Sequence, residues 1–100
     1  MEVAAITDRG GRAFALPLDM ADPAAIGPAL DAAEAALGPV SILVNNAGVS
    51  TEASALDLPP EDWDALYAVN VRAVFLCARE AARRMIASGV AGEGRARIVN

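Results

Sequence analysis

An α/β fold, in which helices cover a parallel sheet, is what the 100-residue sequence predicts, and three observations carry it. Short apolar runs alternate with longer helix-patterned stretches in the order helix, strand, helix, strand, helix, strand, which marks parallel strands joined through helices. The run "SILVN", residues 41–45, is apolar at successive positions, as strands buried on both faces are. A stripe of Trp63, Leu66, Tyr67, Asn70, Val71, Val74, Ala78, Ala81, Ala82 and Met85 recurs every three or four residues, the spacing of one helix face. The chain shows neither an internal repeat nor a domain boundary.

Residues 1–8 read as the last turns of a helix stopped by Gly10 and Gly11. "RAFALPL", residues 12–18, reads as a first strand, with Pro17 removing one ladder donor and so suiting an edge or an end. It stops at Asp19. Asp22 and Pro23 are an N-cap and a first helical residue, and Gly38 with Pro39 is a stop. Gly27 and Pro28 between them predict a first turn, a kink, and a main helix over residues 28–37. After the strand at 41–45 and a loop through "TEASALDL", Pro59 and Pro60 open one long helix to about Ser88. "GVAGEG" reads as a flexible break, and "RARIVN" as the start of a third strand.

Composition removes several classes of function. All eight basic residues are arginine, so no chemistry that needs histidine or lysine can be performed by side chains of this chain. The net charge of -5 and the want of a basic, aromatic surface argue against nucleic acid; Arg83 and Arg84 beside Glu80 read as a solvated helix face. No run approaches the about 18 apolar residues of a membrane span, which makes a soluble cytoplasmic protein the expectation. Cys77, the one cysteine, lies among Phe75, Leu76 and Ala78 and reads as a small buried hydrophobe, and no metal site is expected.

The strand at 41–45 ends in two amides, followed by "AGVS". Taken alone, "NNAG" is better explained as an Asn-rich turn closed by glycine than as a binding site. In open parallel sheets ligands lie at the carboxyl ends of strands, where Asp19 and both amides fall, and small residues there let a ligand approach the backbone. Asn70 interrupts the apolar stripe midway, and an amide buried there would cost about 1 to 3 kcal/mol if unpaired. Something must therefore hold it.

These residues resemble the short-chain dehydrogenases and reductases. "ALPLDMADPAAI" is similar to that family's third strand and its terminal Asp, "LGPVSILVNNAG" to its fourth strand and Asn-Asn-Ala-Gly signature, and "EDWDALYAVNVRAVFLCAREAARRM" to its long interface helix. From Asn45 to Asn70 is 25 residues, the usual family interval. The resemblance implies part of a doubly wound, Rossmann-like parallel sheet covering strands 3, 4 and the start of 5. Residues 1–100 would then be an incomplete dinucleotide-binding domain, truncated at both ends, without the glycine-rich pyrophosphate loop, the catalytic serine and the Tyr-x-x-x-Lys pair.

It further implies NAD or NADP as cofactor and hydride transfer between an alcohol and a ketone, with the chain inactive in isolation. Asp19 would accept a hydrogen bond from the adenine amino group, with the Met20 backbone beside it. Asn46, Ala47 and Gly48 would line the adenosine ribose and the path to the nicotinamide, while Asn45 would help fasten the sheet. Asn70 would be the catalytic asparagine, its main chain holding a water in a proton relay. The helix over residues 61–88 would join a homodimer or homotetramer. A rival is a non-catalytic dinucleotide-sensing regulator on the same fold. Neither substrate identity nor the choice between NAD and NADP is legible.

Overall fold

The computed structural model describes residues 2–100; Met1, where the first helix is expected to begin, lies outside the described residues. Helix α1 (Glu2–Asp8) ends as its glycines require. Gly10 takes a left-handed φ of 84°, its N–H donates to Thr7 O at 2.9 Å, and the Gly11 N–H reaches back to Ile6 O at 3.0 Å. That pair of bonds occupies carbonyls the last turn would otherwise leave open.

Residues 12–18 do not form the expected strand; they run as irregular chain up to Asp19. An apolar segment becomes a strand only by pairing, and this one takes no part in the sheet, which consists of two other segments. In the doubly wound order two strands lie between the third and fourth, so the segment has no neighbour here to pair with.

Helix α2 (Pro23–Leu37) starts where its cap signals put it, with the Asp22 carboxylate accepting from the Ala24 N–H at 3.0 Å. The expected division into a first turn and a main helix is absent. Pro28 lies inside a single continuous helix, costing one ladder bond near the first turn without dividing it. Gly38 closes the end at φ 95°, its N–H donating to Glu34 O.

The sheet is the parallel pair β1 (Ile42–Val44) and β2 (Arg97–Val99), in the register Ile42 with Arg97, Leu43 with Ile98 and Val44 with Val99. The parallel α/β class expected from the alternation is thus present, as a half-clothed version of it. Ile42 and Val44 are each 60% exposed and Leu43 is only part-buried, so β1 is not buried on both faces. The stretch before β2, read from sequence as a flexible break, forms a hydrogen-bonded series of turns. There the Ala91 N–H donates to Met85 O and the Arg95 N–H to Val90 O, over a Val90 side chain that is buried.

The connection between the strands is the long helix, and it is not uniform. α3 (Pro60–Tyr67) passes into a π-turn, Ala68–Arg72, and then into α4 (Ala73–Ala87). The wider turn holds one more residue than the α pattern allows, shifting everything beyond it by about 100° around the axis. For that reason the single stripe read from the sequence divides. Beyond the π-turn the buried face is Ala73, Cys77, Ala81 and Met85, every fourth residue, whereas Trp63, Tyr67 and Val71 stand half exposed. Cys77 is buried as expected, and burial pushes its thiol pKa up, away from reactivity.

α2 and α4 are joined by Arg84. Its Nη1 lies 2.8 Å from Asp31 Oδ1 and 2.7 Å from Glu34 Oε1, its Nε donates to Glu80 Oε1 at 3.0 Å, and its Nη2 donates to Gly27 O at 3.2 Å. The other Glu34 oxygen accepts from the Val40 N–H at 3.0 Å, so one carboxylate also fixes the exit from α2. The hydrogen bond from Arg84, helped by that from Val40, holds the Glu34 carboxyl below its ordinary 4.5. A group whose pKa is depressed by folding contributes stability that is present above its unfolded pKa and is lost as pH falls through the folded one.

The folded protein should therefore lose stability on acidification below about 4.5, and Glu34→Gln should flatten that part of the profile. Arg84→Leu, which leaves three carboxylates facing one another, is expected to cost about 1 to 3 kcal/mol at neutral pH. Urea midpoints across the acid range check both. An unchanged midpoint for Arg84→Leu would show that the cluster holds nothing.

Candidate functional site

The site is built from three places that the fold brings to one end of the parallel pair: the turn after residue 18, the loop after β1, and the π-turn. The first is fixed locally. Asp19 Oδ1 accepts from the Ala21 N–H at 2.9 Å, and Asp19 O accepts from the Asp22 N–H at 3.1 Å. This closes the turn into α2 and leaves the outer carboxylate oxygen, Oδ2, without a hydrogen bond among the described residues.

The second place begins with Asn45, which continues the pairing one step beyond β1. Its N–H donates to Val99 O at 2.7 Å and its Nδ2 to Asn100 Oδ1 at 3.0 Å, so backbone and side chain both bridge the strands. Asn46, Ala47 and Gly48 then run exposed, and the Asn46 amide carries no protein partner among the described residues. Met20, Asn45, Asn46 and Ala47 share an apolar cleft of about 280 Å³ with Leu18 and Val69. Asp19 and Gly48 border this cleft in sequence without lining it.

Asn70 is the third, and its setting differs from expectation. It is exposed rather than buried in the helix stripe, because the π-turn rotates it out toward the loop after β1. It is nonetheless fully engaged: Oδ1 accepts from the Val49 N–H at 2.8 Å, and Nδ2 donates to Val49 O at 2.7 Å. This is the pairing a neighbouring strand would offer, supplied by one amide side chain. Packing there is close, for a Cβ placed on Gly48 would come within 3.4 Å of Asn70 Oδ1. Asn70 also borders a shallow hollow of about 250 Å³ with Trp63, Leu66, Tyr67 and Val71.

Two contributors were not singled out from sequence. Val49 acts through its backbone, which no residue type announces. Arg72, at the far end of the π-turn, donates from Nη2 to Ala21 O at 2.8 Å. A charge inside the apolar run 69–78 was its only signal. Among the described residues no group of three or more His, Cys, Asp and Glu side chains could hold a metal ion, and no helix is long and apolar enough to cross a membrane.

Loops gathered at the carboxyl ends of parallel strands, with small residues and free amides facing out, are the layout of nucleotide-binding α/β sheets. The family model described as short chain dehydrogenase matches residues 2–100, and the chain belongs to that family. It is 42% identical over 82 residues to a short-chain type dehydrogenase/reductase of Picea abies, covering 80% of this chain and 30% of that protein. It is 42% identical over 83 residues to the D-threitol dehydrogenase of Mycolicibacterium smegmatis, covering 82% of this chain and 31% of that one. Among solved structures, a short chain dehydrogenase from Burkholderia cenocepacia in complex with NADP matches with a TM-score of 0.77 and 46% identity, over 82% of this chain and 34% of that chain. The chain thus spans about a third of the length of these relatives.

Proposed function

We propose that the protein carrying this chain is an NAD- or NADP-dependent oxidoreductase that interconverts a small-molecule alcohol and a ketone by hydride transfer, and that residues 1–100 are one part of its dinucleotide-binding domain. The observation that carries this reading is the double hydrogen bond between Asn70 and Val49, because it fixes the loop after β1 to a π-turn, a device found often at functional sites.

The residues fit a dinucleotide. Asp19 offers an uncommitted carboxylate oxygen beside the Met20 backbone, suited to an exocyclic adenine amine. Met20 and Val69 supply apolar walls for a flat base. Asn46 offers a free amide, and Ala47 and Gly48 offer backbone that a ribose can approach. Asn45 keeps this shelf attached to the sheet through its bonds to Val99 and Asn100. When bound, the nicotinamide gives or takes the hydride.

Asn70 is assigned to catalysis through its main chain. An inserted π-turn leaves a carbonyl short of its regular donor, a place where a water can enter the ladder. The side chain, held by Val49, keeps that turn in place. Since this chain holds no lysine and no histidine, the 100 residues by themselves are assigned no turnover. The exposed outer face of the long helix is assigned to a homodimer or homotetramer; Phe75 there is 58% exposed, with the Arg79 guanidinium 5.0 Å above its ring. A cytoplasmic location and independence of nucleic acid and membrane complete the reading.

The test is to express the complete reading frame, titrate it with NADH and NADPH, and follow nicotinamide oxidation and reduction with a panel of ketones and secondary alcohols. Saturable binding with turnover by a dimer or tetramer is expected. Binding without turnover on any substrate would favour the sensing regulator, and no binding of either dinucleotide would sink both.

A further inference from the structure

We propose that Arg72 is a positioning residue for the adenine end of the dinucleotide site: it holds the Asp19–Asp22 turn from across the molecule and so aims the free Asp19 oxygen. This rests on the reading of Asp19 and Met20 as the adenine contacts.

One peptide plane carries both contacts. The carbonyl of Ala21 accepts from Arg72 Nη2 at 2.8 Å, and the N–H of the same peptide unit, on Asp22, donates to Asp19 O at 3.1 Å. A peptide held at both ends cannot rotate, and each bond polarises the other. The adjoining N–H, on Ala21, is the one that Asp19 Oδ1 accepts from at 2.9 Å. Fixing this plane therefore fixes which carboxylate oxygen faces inward to the turn and which faces out.

No other side chain outside residues 19–22 bonds to this turn among the described residues. Arg12, the nearest arginine in sequence, is committed to Ala36 O at 3.2 Å. Nor does Arg72 stand alone. It lies two residues from Asn70 in the same π-turn, and the two side chains reach opposite ways, Asn70 to the loop after β1 and Arg72 to the turn before α2. An uninterrupted α-helix would place positions two apart about 200° around the axis and at its regular rise. From the middle of the long helix the two side chains therefore reach the two loops on either side of it. One helical irregularity thus fixes the two loops assigned to flank the dinucleotide.

The experiment separates the two ends of the cofactor. In the protein from its complete reading frame, Arg72→Leu should weaken 5′-AMP about three- to tenfold, the effect of losing one exposed charge-assisted hydrogen bond. Nicotinamide mononucleotide should bind as it does to the wild type. The KM for the dinucleotide should rise with kcat unchanged, as for an interaction made equally in ground and transition states. Arg72→Lys, which keeps a cationic donor, should recover most of the 5′-AMP affinity. Should Arg72→Leu not accumulate as folded protein, Arg72→Gln carries the same comparison.

Equal weakening of both half-ligands would show a general structural role and overturn the proposal, as would unchanged 5′-AMP binding. A wild type that binds neither 5′-AMP nor dinucleotide would instead overturn the functional reading beneath it.

Discussion

On the proposed reading, Asn70→Asp should lower kcat of the oxidoreductase that carries this chain by about 100-fold or more. The substitution is isosteric and exchanges one atom, the Nδ2 donor, for an oxygen. In the folded chain that atom lies 2.7 Å from Val49 O, so an attraction becomes the opposition of two acceptors, one of them charged. Oδ1 can still accept from the Val49 N–H at 2.8 Å, but it cannot do so without bringing its companion oxygen against the carbonyl. The loop from Asn45 to Val49 must then leave the π-turn, and with it go the shelf assigned to the ribose and the carbonyl assigned to a water. Asn70→Ala, which removes both bonds without adding charge, should be milder in stability, at about 1 to 3 kcal/mol, and similar in kcat. Steady-state rates at saturating dinucleotide read the effect. A kcat within a few fold of wild type for Asn70→Asp would reduce the Asn70 and Val49 pair to a loop fastening.

The 100-residue chain expressed alone is expected to show no single cooperative melt. Its accessible surface of 6911 Å² exceeds the about 5,300 Å² that a compact monomer of its mass presents. Its radius of gyration of 16.1 Å likewise exceeds the about 13 Å of a typical domain of this length. Large apolar side chains are among what the chain exposes. Ile42, Val44, Val99, Phe14 and Leu16 all stand at least a third exposed, and the smallest residues, Ala73 and Ala81, are the most completely buried. Covering alanine contributes little, since stabilisation follows apolar area removed from water. Ordering about 100 residues costs on the order of 100 to 200 kcal/mol, which such a core does not offset. The long helix should persist in part and self-associate through its uncovered sides. Calorimetry with a proton spectrum decides the matter: one sharp transition in a monomer with dispersed amide signals would defeat the expectation.

How much of this was legible in the sequence follows from which features are local. Asp22, Pro23 and Gly38 name the ends of α2, because caps are set by nearest neighbours. The Asn-Asn-Ala-Gly run and Asn70 were singled out as parts of a candidate site, and the fold bonds Asn70 to Val49 in the loop that follows the run. What escaped depended on geometry between elements. Residues 12–18 carry strand composition but no partner, and a ladder cannot be inferred from one side. The π-turn has no proline or glycine to mark it, and it turns the helix partway along the stripe, where Asn70 stands exposed. Pro28 misled in the other direction, since its cost falls on one bond and packing through Arg84 at Gly27 and Glu34 holds the helix across it.

The register of β1 with β2 pairs residues 55 positions apart, as in Ile42 with Arg97. Synthesis at about 5 to 20 residues per second therefore leaves β1 without its partner for about 3 to 11 seconds after it is made. Closing so long a loop brings no reward until the intervening helix has formed, which makes the strand pairing the late event and the helix the early one. Through that interval the edge of "ILV" stands open to any other nascent strand. The amide pair of Asn45 and Asn100, at the far end of the ladder, is what a foreign strand cannot reproduce: it rewards only the alignment in which the two asparagines meet, and so edits a pairing that hydrophobic contact alone would leave free to slip.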